Sequence, residues 1–359
     1  MSDYDVLIYG AGPSGSYLGR LLSGRGFKTA IFDPRQEIGV PLYSGEGTNS
    51  SLVSEKFLID SDRANLNRID KIELSFVTPK SGRTPLLMHS SVNPGGMDCT
   101  VDRDKLDKEM ASLAALSGCD LSIRKRLDSV RAVKNGFRAK FFGGENDVIE
   151  ASILVRADGP DLSYRSGNCI CTQMFSGRKF SNEDYQSYIS LGMGGGSYVQ
   201  DLSQGNGFRT AVIEVHDMKA MHGGWLTGHR MDALILYDPL PCSDGQINIG
   251  SRAIGQDPAF LNGLHYAALT SEMAADAITA GLDSSSSASA MEIYSESMKK
   301  IERDYRKNAD FWRKLRGLHG DRLLAIQEIM ADTEFHSISI NELFFNSKCP
   351  IEPLLTDSR

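Results

Sequence analysis

The feature that most constrains the fold is a glycine-rich turn close to the start of the chain. Residues 6–9 form an apolar run that predicts a β-strand, and this strand leads directly into the run GAGPSG at residues 10–15. A helix is predicted over residues 16–23, and a second apolar strand over residues 29–32 ends on Asp33. Strand, G-x-G-x-x-G turn, helix, strand and acid in this order are typical of a dinucleotide-binding unit.

Each part of this motif has a physical role in holding a pyrophosphate. The first glycine permits the tight turn, the second lets the pyrophosphate approach the backbone, and the third allows the helix to pack closely on the strand. The helix N-terminus offers amides and a partial positive charge, and Asp33 can accept hydrogen bonds from ribose hydroxyls. The alternative is a glycine-rich turn in an unrelated α/β unit. The predicted cofactor-binding residues here are Gly10, Ala11, Gly12, Pro13, Ser14, Gly15, Asp33, Pro34 and Arg35.

Composition and charge exclude several classes of protein. The 359-residue chain carries a net charge of −7, which argues against nucleic acid as a partner. It contains no run of about 18 apolar residues and no signal-peptide pattern, so a cytoplasmic protein is expected. The six cysteines are scattered, and the one close pair, Cys169 and Cys171, lacks a zinc-site spacing. No metal site is therefore predicted.

Apolar periodicity predicts most of the remaining elements. A helix after Arg103 carries its leucines and a methionine on one face and is expected to end at Gly118. Residues 128–149 predict a β-meander, residues 152–155 a separate strand, and residues 263–278 a helix. The residues expected on the inner face of the helix after Arg103 are Leu106, Met110, Leu113 and Leu116.

Three later stretches favour FAD over NAD as the dinucleotide. The first ends a predicted strand on Asp158-Gly159, and the second places Arg103 just before a helix. FAD lies extended, so a flavoenzyme needs a late strand–loop–helix unit to hold the ring end, where a helix N-terminus can stabilise negative charge. The third stretch, residues 247–264, is the candidate for this late unit. Its candidate cofactor-binding residues are Gly250, Ser251, Asp257, Gly263 and Leu264.

Together these motifs resemble the geranylgeranyl reductase family of FAD-dependent oxidoreductases, particularly its archaeal digeranylgeranylglycerophospholipid reductases. The resemblance covers about residues 3–280. It implies that a loop containing Gly45 passes close to the flavin ring and that Arg103 faces the middle of the cofactor. This chain departs from the family in its second FAD motif, where Ser251 stands in place of an aspartate. A neutral hydrogen bond there would replace a stronger charge-assisted one.

The resemblance implies an α/β fold of the glutathione-reductase/aromatic-hydroxylase type. It consists of a Rossmann-like FAD-binding domain, an inserted antiparallel β-sheet substrate domain and C-terminal helices. The implied FAD-binding parts are residues 1–69, 99–168 and 244–283, the implied substrate-domain parts are residues 70–98 and 169–243, and the implied helical region is residues 284–359.

The family activity implied for this chain is reduction of carbon–carbon double bonds in an isoprenoid or lipid-like substrate by hydride from the flavin. The sequence does not identify the external electron donor. Glu46, Tyr43 and Ser44 in the ring-side loop are the candidate catalytic residues, with Glu46 as acid or orienting group. The alternative for Glu46 is a structural role in capping the segment that follows.

Two further functions remain open at this point. One is an FAD monooxygenase of the aromatic-hydroxylase type, which shares much of the architecture. The other is a non-catalytic relative that uses the FAD fold only to bind a lipid or partner. Ser251 and the thinned glycine run before Gly263 favour the last of these.

The C-terminal region predicts an amphipathic helix with a basic face. Residues 299–316 hold eight Lys or Arg against three Asp or Glu. Such a helix could touch the inner membrane face through residues 291–316, or it could pack its apolar stripe on the core. The stripe consists of Tyr294, Met298, Ile301, Tyr305 and Trp312.

Overall fold

The computed structural model describes residues 2–40, 47–68, 72–78, 82–88, 98–134, 136–142, 147–159, 169–178, 187–191, 198–204, 207–217, 229–235, 239–255, 263–284 and 286–316. In the first half the elements are β1 (Tyr4–Tyr9), α1 (Pro13–Gly24), β2 (Thr29–Phe32), β3 (Gly47–Thr48), a π-helical turn (Leu52–Lys56), β4 (Asn67–Arg68), β5 (Ile72–Thr78), β6 (Gly82–Met88), β7 (Cys99–Thr100), α2 (Arg103–Leu116), β8 (Asp120–Ser122), β9 (Leu127–Val133), β10 (Gly136–Phe141) and β11 (Val148–Arg156). In the second half they are β12 (Cys169–Arg178), β13 (Ser187–Leu191), β14 (Tyr198–Gln204), β15 (Gly207–Asp217), β16 (His229–Ile235), β17 (Cys242–Ser243), β18 (Gln246–Asn248), a 3-10 turn (Gly250–Arg252), α3 (Gly263–Asp283) and α4 (Ser287–Arg316).

The first sheet has the order β17-β18-β11-β1-β2-β8, and its central strands are parallel. The hairpin β9–β10 attaches to it through β11. The sequence predicted a meander followed by a separate strand, whereas residues 148–156 form one strand. Its first part pairs antiparallel with β10 and its second part pairs parallel with β1. This mixed sheet with helices confirms the predicted α/β, Rossmann-like class.

The helices pack on this sheet as their apolar patterns require. The strand β1 is buried from Val6 to Tyr9, and α1 lies beside α2 and α3. On α2, Leu106 and Met110 face the core of the protein as expected, but the Leu116 side chain is 82% exposed. The reason is that α2 ends at Leu116 and Gly118 turns the chain away with φ +95°.

The second sheet has the order β16-β12-β15-β14-β13-β5-β6. All neighbouring pairs are antiparallel except β13 and β5, which run parallel. The predicted inserted sheet therefore exists but is mixed. The strands β5 and β13 come from separate stretches of the chain and are not joined by a hairpin, so a parallel pairing is possible.

The apolar stripe of α4 faces the protein interior. Tyr294, Met298, Ile301 and Tyr305 are all buried, and the Tyr305 ring packs edge-on against Tyr266 of α3 with centroids 5.5 Å apart. The side chain of Trp312 lies outside the described ones. The core-packing alternative thus accounts for these four residues, and a membrane contact of α4 would have to use its charged face. Among the described residues, no helix has the length and apolar character needed to cross a bilayer.

Replacing Tyr294 by phenylalanine is expected to lower the free energy of unfolding by about 1–2 kcal/mol. The fully buried Tyr294 hydroxyl donates to the Asn248 carbonyl at 2.8 Å and ties α4 to the end of β18. Its removal leaves a buried acceptor without that donor. Chemical denaturation measures the change. Tyr4→Phe is the matched control, because the Tyr4 hydroxyl donates to Asp120 at an exposed position. Equal effects of the two substitutions would contradict the prediction.

Candidate nucleotide-binding site

The strand register brings four separate stretches of the chain to one edge of the first sheet. Tyr9 is opposite both Phe32 and Arg156, and Arg156 is opposite Asn248, so β1, β2, β11 and β18 end at the same level. The residues that follow these ends are the glycine turn, Asp33, Asp158-Gly159 and Gly250. In open α/β sheets, ligands bind outside the carboxyl ends of the strands.

Two of the three glycines in the turn are required by the protein itself. Gly10 has φ +117°, and a Cβ there would collide with the carbonyl of Ala157 and lie 2.8 Å from the Asp158 nitrogen. A Cβ on Gly15 would collide with the carbonyl of Gly10. Both glycines therefore allow α1, β1 and the end of β11 to approach one another.

Gly12 differs from its two neighbours. Its φ of −76° and ψ of −175° are open to any residue, and apart from its chain neighbours a Cβ there would meet no atom of the described residues within 4 Å. Gly12 is the N-cap of α1, and no side chain caps that helix end. None of the described residues requires a glycine here, and the space beside Gly12 adjoins helix amides that have no side-chain cap. The free amides and the positive end of the helix suit an anionic group such as a pyrophosphate.

The fourth stretch packs directly on the glycine turn. Gly250 has φ +58°, and a Cβ there would collide with the Ser14 hydroxyl. The Gly250 amide donates to Thr270 Oγ1 at 2.8 Å, and the Ser271 hydroxyl donates to the Ser14 carbonyl at 2.9 Å. Helix α3 thus joins the turn at 10–15 to the turn at 250–252, in which Ser251 is partly buried.

Asp33 is buried beside the glycine turn and bonded on both oxygens. Its Oδ2 accepts from the Ala11 amide at 2.7 Å and from Arg35 Nη2 at 2.9 Å. Its Oδ1 accepts from the Arg35 amide at 2.8 Å and from Arg35 Nε at 2.9 Å. Burial works to raise the pKa of Asp33, but the bonds and charge of Arg35 and the Ala11 amide outweigh it, so the pKa is lowered. The acid is therefore ionised at neutral pH.

Two further clusters of charge flank the turn. Asp158 pairs with Arg156 through Nη2 at 2.6 Å and lies 3.8 Å from Arg252 Nη1. Arg103 contacts the buried Asp107 through Nε at 3.0 Å. With the Arg35–Asp33 pair, these clusters bring the guanidinium groups of Arg35, Arg103, Arg156 and Arg252 to this edge of the sheet. A guanidinium can form charge-assisted hydrogen bonds with an anionic group.

Three of these residues were missed by the sequence prediction. Asp107 follows Arg103 by four residues on a helix, and that spacing is a signal for an ion pair that could have been used. Arg156 and Arg252 carry no such signal. They come together only because β11 and β18 are neighbours in the sheet.

The predicted site residues are only partly brought together. Gly10 to Gly15, Asp33, Pro34, Arg35, Asp158, Gly159, Gly250 and Ser251 lie along one sheet edge, and Arg103 starts α2 nearby. Gly263 begins α3, but the Leu264 side chain packs in an apolar cluster with Tyr17 and Val101. The remaining candidates, namely Tyr43, Ser44, Gly45, Glu46 and Asp257, lie outside the described residues.

The residues on either side of the segment 41–46, which holds Tyr43, Ser44, Gly45 and Glu46, are described. Glu37 forms an ion pair with Lys108 of α2 before the loop begins. Gly47, after the loop, pairs with Thr100 of β7, three residues before Arg103. Both ends of this loop are thus held next to α2.

Known proteins resemble this chain over nearly its whole length. A digeranylgeranylglycerophospholipid reductase from Picrophilus torridus is 25% identical, over 95% of this chain and 94% of the relative. A protein of the same name from Methanosarcina mazei is 25% identical over 77% of this chain and 76% of its own. No protein-family model matches the sequence.

Solved structures share the fold. A geranylgeranyl bacteriochlorophyll reductase-like protein from Thermoplasma acidophilum has a TM-score of 0.78 at 21% identity, covering 98% of this chain and 99% of its own. A flavoprotein/dehydrogenase from Cytophaga hutchinsonii has 0.68 at 15% identity, covering 98% of both chains. A variant of the halogenase PltM in complex with FAD has 0.65 at 12% identity, covering 92% of this chain and 77% of its own. The resemblance drawn from the motifs is confirmed: the chain is a distant homologue of proteins named digeranylgeranylglycerophospholipid reductase and has the fold of FAD-binding flavoproteins.

Proposed function

We propose that this chain binds FAD at the carboxyl edge of its first sheet and reduces carbon–carbon double bonds of an isoprenoid or lipid-like substrate. The observation that carries the FAD part is Gly12, a glycine that the fold does not need, beside uncapped helix amides. The names of the homologues support the substrate class. FAD, when bound, supplies a redox group that exchanges hydride.

Each of the chain stretches that meet at the carboxyl edge of the first sheet has its own role in this proposal. The amides of the first turn of α1 hold the pyrophosphate, with Gly12 leaving room for it. The arginines of the site balance its charge, and Arg103 faces the middle of the cofactor. Asp158, Gly159, Gly250 and Ser251 hold the part that leads to the ring, and Gly263 with Leu264 starts the helix beside it. Asp257 is assigned to the same end.

The reacting side is assigned to the loop between Val40 and Gly47. Its ends are held beside α2 by the Glu37–Lys108 ion pair and the Gly47–Thr100 pairing. Tyr43, Ser44 and Glu46 are the candidates to orient the substrate and to supply the proton that completes saturation. An isolated alkene has no carbonyl to polarise, so no oxyanion hole is required. Residues 70–98 and 169–243 are assigned to covering the substrate and excluding water.

A two-stage experiment tests the proposal. First, purified protein is titrated with FAD, and quenching of flavin fluorescence is followed. Second, the loaded protein is chemically reduced without oxygen and mixed with a phospholipid that carries geranylgeranyl chains. Mass spectrometry should show a gain of two hydrogens for each double bond reduced. A hydroxylated product that forms only with oxygen would favour the monooxygenase alternative, and failure to bind FAD would favour the non-catalytic one.

A further inference from the structure

The carboxylate of Asp33 is saturated by donors from its own chain. A carboxylate offers about four acceptor positions, and the bonds from the Ala11 amide, the Arg35 amide, Arg35 Nε and Arg35 Nη2 use that number. The residue is also only 2% exposed. A ribose hydroxyl that bonded to Asp33 would have to displace one of these donors.

Arg35, in contrast to Asp33, has hydrogen-bonding groups left for a ligand. Its Nε and Nη2 donate to Asp33, which fixes the plane of the guanidinium. A guanidinium has five donor positions, and no described residue accepts a bond from Nη1, so that edge can donate to another acceptor. The side chain is 26% exposed. Its backbone is held as well, because the Arg35 carbonyl accepts from the Arg124 amide at 2.9 Å.

The charge of Arg35 is also fixed. Burial works to lower the pKa of Arg35, but the carboxylates of Asp33 and Asp107 together raise it above its ordinary value. Asp107 is 1% exposed and reaches the site from α2, where it also holds Arg103. Arg35 is thus a rigid, permanently charged donor placed between the glycine turn and α2.

We propose that Arg35 makes the polar contact with the adenosine half of the nucleotide, and that Asp33 is a positioning residue that braces the glycine turn and orients the guanidinium. The contact would be from the Nη1 edge to an acceptor such as a ribose oxygen, a phosphate oxygen or an adenine nitrogen. This inference rests on the proposed FAD binding and changes the role that the motif assigned to Asp33.

ADP, which carries the adenosine half without the flavin, is the probe that tests this inference. Calorimetry should show that Arg35→Met weakens ADP binding by about tenfold to a hundredfold, the loss expected for a bond from a charged donor. FMN, which lacks the adenosine half, should bind both proteins equally. If Asp33 instead bonds to the ribose and Arg35 merely competes, Arg35→Met will leave ADP binding unchanged or tighten it, and the inference is overturned.

A double substitution separates bracing from direct contact. Asp33→Asn keeps an oxygen for the Ala11 amide but loses the charge that orients Arg35. It should weaken ADP binding in the wild type and add no loss in the Arg35→Met background. A further loss there would mean that Asp33 touches the ligand itself.

Two more variants are controls. One tests whether the loss of any positive charge weakens ADP binding, and the other tests whether Arg35→Met merely fails to fold. Arg25→Met removes the same charge at the far end of α1, about 18 Å from the turn, and should leave ADP binding unchanged. Arg35→Lys keeps a charge beside Asp33 but lacks the rigid fork, so it should fold and still bind ADP weakly even if Arg35→Met does not fold. Wild-type affinity for ADP in Arg35→Lys would count against the inference. A wild type that binds neither ADP nor FAD would overturn the proposed function along with it.

Discussion

A Gly12→Ser variant is expected to be at least as stable as the wild type and to bind FAD about a hundredfold more weakly. Serine is a better N-cap than most residues and can bond the free amides of the first turn of α1. Apart from its chain neighbours, its Cβ meets no atom of the described part of the chain within 4 Å. The same hydroxyl and Cβ occupy the place proposed for the pyrophosphate, and two lost charge-assisted bonds account for the factor.

The measurements are thermal unfolding of the cofactor-free protein and titration with FAD. Gly24→Ser is the matched control, because Gly24 ends the same helix and its Cβ position, outside the helix's own backbone, also has no described atom within 4 Å. It should alter FAD binding by less than a factor of about two. Wild-type affinity in Gly12→Ser would remove the main support for the proposed function.

A Gly15→Ala variant is expected to lose about 3 kcal/mol of folding stability or to fail to fold. The added Cβ would collide with the Gly10 carbonyl and lie 3.2 Å from the Ala157 Cβ, so it meets backbone that cannot move aside. Relief requires α1 to shift away from β1 and β11. Chemical denaturation or the yield of soluble protein reports the loss.

Gly24→Ala is the control for this second prediction. It adds the same methyl group to the same helix at an open position. Alanine favours helix over glycine by up to about 1 kcal/mol, so this variant should be as stable as the wild type or more so. Similar stabilities of Gly15→Ala and Gly24→Ala would contradict the packing role of Gly15. The contrast of Gly12 with Gly15 thus separates what the ligand needs from what the fold needs.

The local parts of the structure could be predicted from sequence because their causes lie within a few residues. The strand, turn and helix at the glycine motif follow from short-range geometry, and α2 begins and ends at the expected signals. Leu116 shows the limit of this reasoning. Helical periodicity puts it on the inner face, but whether the last turn meets a neighbour depends on where the helix ends relative to the rest of the protein.

For a related reason, the sequence did not predict that residues 148–156 form one continuous strand. Both predicted pieces are extended, and nothing local distinguishes two strands from one strand with different partners on its two halves. The pairing with β10 and then with β1 decides this. The stripe on α4 is a similar case: its period indicates an amphipathic helix, but only packing against α3 and β18 shows that the stripe faces protein.

By itself the sequence determined the class of fold, the glycine turn and the kind of ligand that such a turn accepts, since these depend on backbone freedom and hydrogen-bonding groups near one another in the chain. Only the tertiary structure decided how the charges are shared. Arg252 lies near Asp158, and the charge of Asp107 acts on Arg35, because strand order and helix packing bring distant residues together. Arg35 and Asp33 are only two residues apart, so residue types predict a charge pair. The structure shows that three bonds from Arg35 and one from the Ala11 amide together saturate Asp33, and this geometry determines which groups remain for a ligand.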